Sequence, residues 1–184
     1  MRALRKPAYS DARSDAEIIL AVRDGDNEAL GVLFDRYADD VMRFVRRLVA
    51  VDEADDLTQE TFLRVLAIAR SYEARNATAR SWVLGIAFAI VRERRRSFAR
   101  FRRAITSFGR GASAITSGAD PDTDLARALR SLGDDRGALV VMVDGLGLST
   151  HEASEALGVP EGTIGSRLFH ARRELRELLG GPDA

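Results

Sequence analysis

Residues 148–175 read LSTHEASEALGVPEGTIGSRLFHARREL. Ser149 or Thr150 can cap a short helix that carries Ala153 and Leu157. Gly158-Val159-Pro160 then supplies a tight turn. Glu161 opens a second helix with Ile164, Leu168, Ala171, Leu175 and Leu178 on its inner face. Two short helices joined by a glycine-containing turn form a helix-turn-helix, whose second helix enters the DNA major groove. The outward face near the start of that helix carries Thr163, Ser166, Arg167 and His170. Arg167 can reach a phosphate or a guanine, and a helix N-terminus favours a phosphate. An ordinary helical hairpin with a solvated basic face produces the same pattern.

Upstream, helical periodicity continues back to Leu125 and then fails. Residues 105–124, ITSFGRGASAITSGADPDTD, are rich in Gly, Ser, Thr and Asp and read as a flexible tether. Before it lies a second helical block. Asp15 to Arg23 is a short amphipathic segment. Asp26 can cap a long helix to about Ala50, with Leu30, Leu33, Phe34, Tyr37, Val41, Phe44, Val45 and Leu48 on one buried face. A third helix runs from about Glu53 to Arg70, with Leu57, Phe62, Leu63, Leu66 and Ile68 apolar. A polar stretch, Ser71 to Arg80, separates it from a fourth helix beginning near Ser81 with SWVLGIAFAIVRERRRSF. No strand pattern competes, so the fold expected is all-α: two small helical domains joined by a flexible linker, the C-terminal one a helix-turn-helix. The boundaries read are a tail at 1–13, a domain at 14–103, a linker at 104–124 and a domain at 125–180.

Two charge clusters lie in the first block. Arg92, Arg94, Arg95, Arg96, Arg100, Arg102 and Arg103 spread around most of a helix circumference and suit a phosphate backbone, or equally a solvated helix end complementing the helix dipole. Residues 52–65, DEADDLTQETFLRV, place Asp52, Glu53, Asp55, Asp56 and Glu60 at a helix start. The dipole accounts for part of this density, and a basic protein partner for the remainder. Paired aspartates can also hold magnesium and diphosphate, but the spacing from Asp56 to Glu60 and the lack of a facing acidic cluster fit that chemistry poorly.

Composition narrows the classes further. The 184 residues are 46% hydrophobic, enough for a core and too apolar for disorder. There is no cysteine, and His151 and His170 form no ligand motif, so no metal and no cofactor is expected. No Walker loop, dinucleotide glycine motif or catalytic triad is present, so an enzyme is not expected. The longest apolar run, Ser81 to Val91, is too short for a bilayer. The N-terminal MRALRKPAYS lacks a secretion-signal core. A cytoplasmic protein without membrane insertion is expected. Net charge is zero, yet residues 1–103 hold 20 basic and 16 acidic residues while 104–184 hold 8 and 12, so local basic patches remain available.

The order of these motifs resembles the extracytoplasmic-function (ECF) sigma factors of bacterial RNA polymerase, over about residues 14–103 and 124–179. The resemblance implies promoter-specific transcription initiation with core RNA polymerase and promoter DNA as partners. In many relatives an anti-sigma factor is a further partner. It implies that Asp52, Glu53, Asp55, Asp56, Gln59, Glu60 and Phe62 dock on the β′ clamp helices, with the C-terminal domain touching the β flap. Asn76, Thr78, Arg80, Trp82, Arg92, Arg95 and Arg96 would meet the −10 element, the loop from Ser71 to Arg80 capturing a flipped base. Thr163, Ser166, Arg167, Phe169, His170 and Arg173 would meet the −35 element. The chain departs from the family at Phe88 and Ala89, which replace an arginine and an asparagine. It departs again at Gly165 and His170, where basic residues are usual, and at Ser154, where alanine is usual. A helix-turn-helix regulator that acts without polymerase, or a degenerate sigma-like decoy, shares much of the pattern.

Overall fold

The computed structural model describes residues 12–73, 77–107 and 123–180, and these form helices with no strand among them. The first set is α1 (Asp15–Arg23), α2 (Asn27–Leu48), α3 (Val51–Ile68) and α4 (Ala79–Ser107). The second is α5 (Asp124–Ser131), α6 (Asp134–Val140), α7 (Thr150–Leu157) and α8 (Glu161–Leu178).

Each start has a local cause. Ser14 and Glu17 close a capping box on α1, and the Asp26 carboxylate accepts from the Glu28 and Ala29 amides at 2.9 and 3.1 Å to start α2. Those amide bonds, Ala29's foremost, hold the Asp26 pKa below the usual carboxylate value. The expected face of α2 is the one used: Leu33, Val41, Phe44, Val45 and Leu48 are buried. Each such side chain withdraws enough apolar surface to contribute about 1.5–3 kcal/mol. On α3 the expectation holds only in part. Leu57 and Phe62 are buried, but Leu63, Leu66 and Ile68 are exposed, and Thr58 and Thr61 occupy core positions instead. Thr61 is satisfied there because its hydroxyl donates to the Leu57 carbonyl at 2.8 Å.

Boundaries shift where caps decide them. Thr78 accepts from the Ser81 amide at 3.1 Å, so α4 begins at Ala79 and takes Ala79 and Arg80 out of the expected loop. At its other end α4 reaches Ser107, so 104–107, read as the first residues of the linker, are helical. At the linker's far end Thr123 caps α5 and Asp124 is its first residue, while 108–122, like the tail at 1–11 and Asn76, lie outside the described residues.

In the second set, α6 continues into a π-helical turn, Val141–Gly145, that buries Val141 and Met142. Gly137 lets α6 cross α5 closely: a Cβ there would stand 2.4 Å from the Leu129 carbonyl oxygen. Ser149 and Glu152 form a second capping box at α7, and Gly158, at φ +65°, ends it in the left-handed region that glycine enters at no steric cost. Ser154 is buried where alanine is usual, and its hydroxyl donates to the His151 carbonyl at 2.7 Å. The inner face of α8 is Ile164, Leu168 and Ala171, with Leu175 half-buried and Leu178, expected inside, exposed.

The two sets do not stand apart. The helix α4 lies along α7, and α2 meets α5 and α6, so the buried apolar residues of both form one continuous core.

Candidate nucleic-acid and polymerase interface

Three surfaces carry the residues singled out in the sequence. The first is the start of α3. Asp52, Asp55, Asp56, Gln59 and Glu60 are exposed, Glu53 is half-buried, and Ala50 provides no side-chain cap. Phe62 is not on this surface. It is 4% exposed and its ring meets Phe34 with centroids 4.7 Å apart, so it belongs to the core and supports the acidic face from beneath. Glu53 is engaged as well: Arg94 donates to it at 2.6 Å, which raises the Arg94 pKa. Arg64 bridges Glu60 at 3.1 Å and Glu93 at 3.4 Å, and Arg46 approaches Asp55 at 3.7 Å. The acidic and basic clusters, read as separate surfaces, are thus partly cross-tied along α3 and α4. Exposed pairs of this kind are worth about 0–1 kcal/mol each and leave both clusters available to stronger partners.

The second surface is the start and face of α4. Trp82 is half-buried and its ring lies 5.2 Å from that of Tyr72, whose hydroxyl donates to the Ala77 carbonyl at 3.2 Å. Burial raises the Tyr72 pKa. Thr78, read as a base reader, spends its hydroxyl as the α4 cap and on Ser81 at 2.8 Å. Arg80 is held at two points, by Asp40 at 2.7 Å and by the Leu146 carbonyl at 2.9 Å. Arg95 donates to the Arg130 carbonyl at 2.7 Å and pairs with Asp134 at 2.9 Å. Arg92 is half-buried with its guanidinium 5.2 Å from the centre of the Phe88 ring. Arg96 is exposed.

The third surface is the outer face of α8. Ser166, Phe169, His170 and Arg173 are exposed, while Thr163 and Arg167 are half-buried. Phe169 is 61% exposed and its ring meets the His170 ring edge-on at 5.5 Å, so it faces outward. A side chain added at Gly165 would meet nothing within 4 Å. Ser166 turns its hydroxyl to the Thr163 carbonyl at 3.1 Å. His151 bridges the two helices of the motif, 3.3 Å from Glu155 and 3.1 Å from Glu161. The hydrogen bond to Glu161, then the charge of Glu155, hold its pKa above the usual value.

Sequence reading missed the groups that hold Thr78, Arg80 and Arg95: Glu155, Asp40, Leu146, Arg130 and Asp134 are far away in the chain. One signal was present. Gly85 interrupts an apolar helical run at a cost of about 1 kcal/mol relative to alanine, and a close packing contact is one reason for a glycine there. Among the described residues no cluster of His, Asp or Glu could hold a metal ion.

Residues 33–104 match the family model described as Sigma-70 region 2, and residues 122–175 the one described as Sigma-70, region 4. The chain is 33% identical over 171 residues to the probable RNA polymerase sigma-C factor of Mycobacterium bovis, covering 90% of this chain and 91% of that one. It is 32% identical over 169 residues to the ECF RNA polymerase sigma factor SigM of Mycobacterium tuberculosis, with 91% and 86% covered. It is 30% identical over 186 residues to the ECF RNA polymerase sigma factor BldN of Streptomyces coelicolor, with 95% and 70% covered. Among solved structures, the sigma factor RpoE of Bartonella quintana in complex with the anti-sigma factor NepR superposes with a TM-score of 0.63 at 26% identity, covering 86% of this chain and 98% of that one. CnrH in complex with the cytosolic domain of CnrY gives 0.67 at 22% identity, with 91% and 98% covered, and shows the same fold.

Proposed function

This chain belongs to the ECF RNA polymerase sigma factors, and from that premise we infer that it is the subunit that gives core RNA polymerase its promoter specificity. The observation that carries this reading is the pairing of two surfaces in one chain. An exposed acidic face on α3 offers a protein contact, and an exposed polar face on α8 offers a groove-reading helix. A regulator that bound only DNA would have no use for the first.

In this reading Asp52, Asp55, Asp56, Gln59 and Glu60 dock on the polymerase clamp, and Phe62 braces them from the core. Arg80, Trp82, Arg92, Arg95 and Arg96 meet the −10 element, with Thr78 fixing where their helix starts. Ser166, Arg167, Phe169 and Arg173 meet the −35 element. Work on the polymerase places the protein in the cytoplasm, and among the described residues no helix is long and apolar enough to cross a membrane. The protein orients and melts DNA and performs no chemistry of its own. An anti-sigma factor, as in the RpoE and CnrH complexes, is a further partner to seek.

Run-off transcription tests the reading. Purified core polymerase with this protein should give discrete transcripts from a small set of genomic fragments, among them the DNA upstream of its own gene. Absence of any start site that depends on the protein overturns it.

The −35 face yields a sharper expectation. Gly165 contributes no side chain and His170 is shorter than the arginine usual there, so readout rests on few contacts. Gly165→Arg with His170→Arg should fit without clash and strengthen binding to duplex −35 DNA about tenfold, as one good bidentate contact is worth about 1–3 kcal/mol. Selection from a randomised −35 library should return a different, narrower motif. Identical motifs from both proteins would show that these positions do not set specificity.

A further inference from the structure

The turn between α7 and α8 is bridged a second time, by side chains. Glu161, the first residue of α8, has both carboxylate oxygens engaged by the start of α7. Its Oε2 lies 3.1 Å from His151 Nδ1, and its Oε1 accepts from the Thr150 hydroxyl at 3.4 Å. His151 has a second acid on its other side, with Nε2 3.3 Å from Glu155 Oε1. Glu155 is anchored in turn, because its Oε2 accepts from the Thr78 amide of α4 at 3.4 Å. The imidazole therefore stands between two carboxylates, one on each helix of the motif. A neutral imidazole carries one N–H and can satisfy only one of them. The imidazolium carries two and satisfies both. The hydrogen bond to Glu161 on α8, then the charges of Glu155 and, more weakly, Glu152 on α7, hold the ring's pKa above its ordinary value.

We infer that His151 is a positioning residue for −35 recognition: as the imidazolium it fastens the start of α8 to α7 and neutralises Glu161, so that duplex −35 DNA binds more tightly at the acid end of the physiological range. The inference rests on reading the outer face of α8 as the −35 surface. Glu161 is exposed at the end of α8 that enters the groove, two residues before Thr163. A carboxylate there approaches the phosphate backbone, and like charge at an interface costs affinity. A cation on α7 that draws the carboxylate back and cancels it removes that cost. Pro160 supplies no side-chain cap to α8, which leaves the ties to His151 and Thr150 to fix its first turn. The proton sets the state of this latch. Below the raised pKa of His151 both carboxylates are engaged. As the pH rises through it, one N–H is lost, one carboxylate faces a lone pair, and the edge of the reading face gains a unit of negative charge. The His151 side chain is 65% exposed, so solvent screens the pair and the effect is modest.

The test uses the full chain and fluorescence anisotropy on the −35 duplex of a promoter mapped by run-off transcription, between about pH 6 and about pH 8. The parent should lose about threefold in affinity across that range, the size an exposed ion pair supports. His151→Gln should be flat at the parent's weaker level. His151→Arg, charged throughout the range, should be flat at the stronger level. Glu161→Gln should bind at the alkaline end as the parent does at the acid end, and adding His151→Arg to it should bring no further gain, because residue 151 acts through that acid. The other histidine of the chain, His170, stands on the reading face itself, so His170→Gln is the control that must keep the pH dependence. A parent whose affinity does not change with pH overturns the inference. So does a pH dependence that survives His151→Gln and vanishes with His170→Gln. An equal gain from His151→Arg with and without Glu161 also overturns it, since residue 151 would then touch phosphate directly. If transcripts start from the promoter and no protein shows the pH effect, this inference fails alone. If no run-off product depends on the protein, the promoter reading fails with it.

Discussion

Reversing Asp55 and Asp56 to lysine should cost at least about a hundredfold in affinity for core polymerase and leave the protein folded. Both carboxylates are exposed at the start of α3; Arg46 approaches Asp55 at 3.7 Å, and Asp56 interacts with Arg94 through its charge alone. Acids there stabilise a helix by about 0.3–1 kcal/mol each, and an exposed pair adds about 0–1 kcal/mol. The folded state therefore loses little. A docked carboxylate facing a basic partner is different, because truncating one member of a desolvated charge pair costs about 2–5 kcal/mol and reversal adds repulsion. Equilibrium binding to core polymerase, read beside circular dichroism and a denaturation midpoint, separates the two effects. Unchanged affinity would move the polymerase contact off this face.

Gly137→Ala should destabilise the protein by about 2 kcal/mol, against the sign that helix propensity alone gives. In a helix interior alanine exceeds glycine by about 1 kcal/mol. At Gly137, however, the new methyl would sit 2.4 Å from the Leu129 carbonyl oxygen and 3.4 Å from a Leu48 methyl. The first neighbour is backbone, so α5 has to move, and overpacking of this kind costs about 1–3 kcal/mol. Gly31→Ala is the matched control. It is helical and exposed with nothing within 4 Å, so it should stabilise by about 0.4–1 kcal/mol. Chemical denaturation of the three proteins decides the matter, and a stabilised Gly137→Ala would show that α5 and α6 are not in close contact.

The helices were legible where side-chain period and caps agreed. The buried face of α2, the Asp26 cap, the Ser149 cap and the Gly158 turn all follow from local chemistry. Legibility was partial on α3, where the apolar positions Leu63 and Leu66 are exposed. Thr58 and Thr61, polar side chains, are buried there because a threonine hydroxyl can satisfy itself on a backbone carbonyl or a neighbouring sulfur. The resemblance assigns Phe62 to the polymerase-docking stretch. Its helical phase, four residues after buried Thr58, puts it inside. The site was legible as motifs and not as contacts. Arg80 with Asp40, Arg94 with Glu53 and Arg95 with Asp134 join residues about forty positions apart, and no local period encodes such pairs. The seat of α7 on α4 left one trace, a glycine in a helix, whose cause lies in another part of the chain.

Trp82 is the single tryptophan of the protein. It stands in the first turn of α4, half-buried, beside Tyr72 and three residues from Gly85. Its emission therefore comes from one known place, with no second indole to subtract, and Tyr72 at 5.2 Å is near enough to pass excitation to it. The unlabelled protein thus carries its own optical reporter one turn from the point where α4 and α7 pack backbone to backbone.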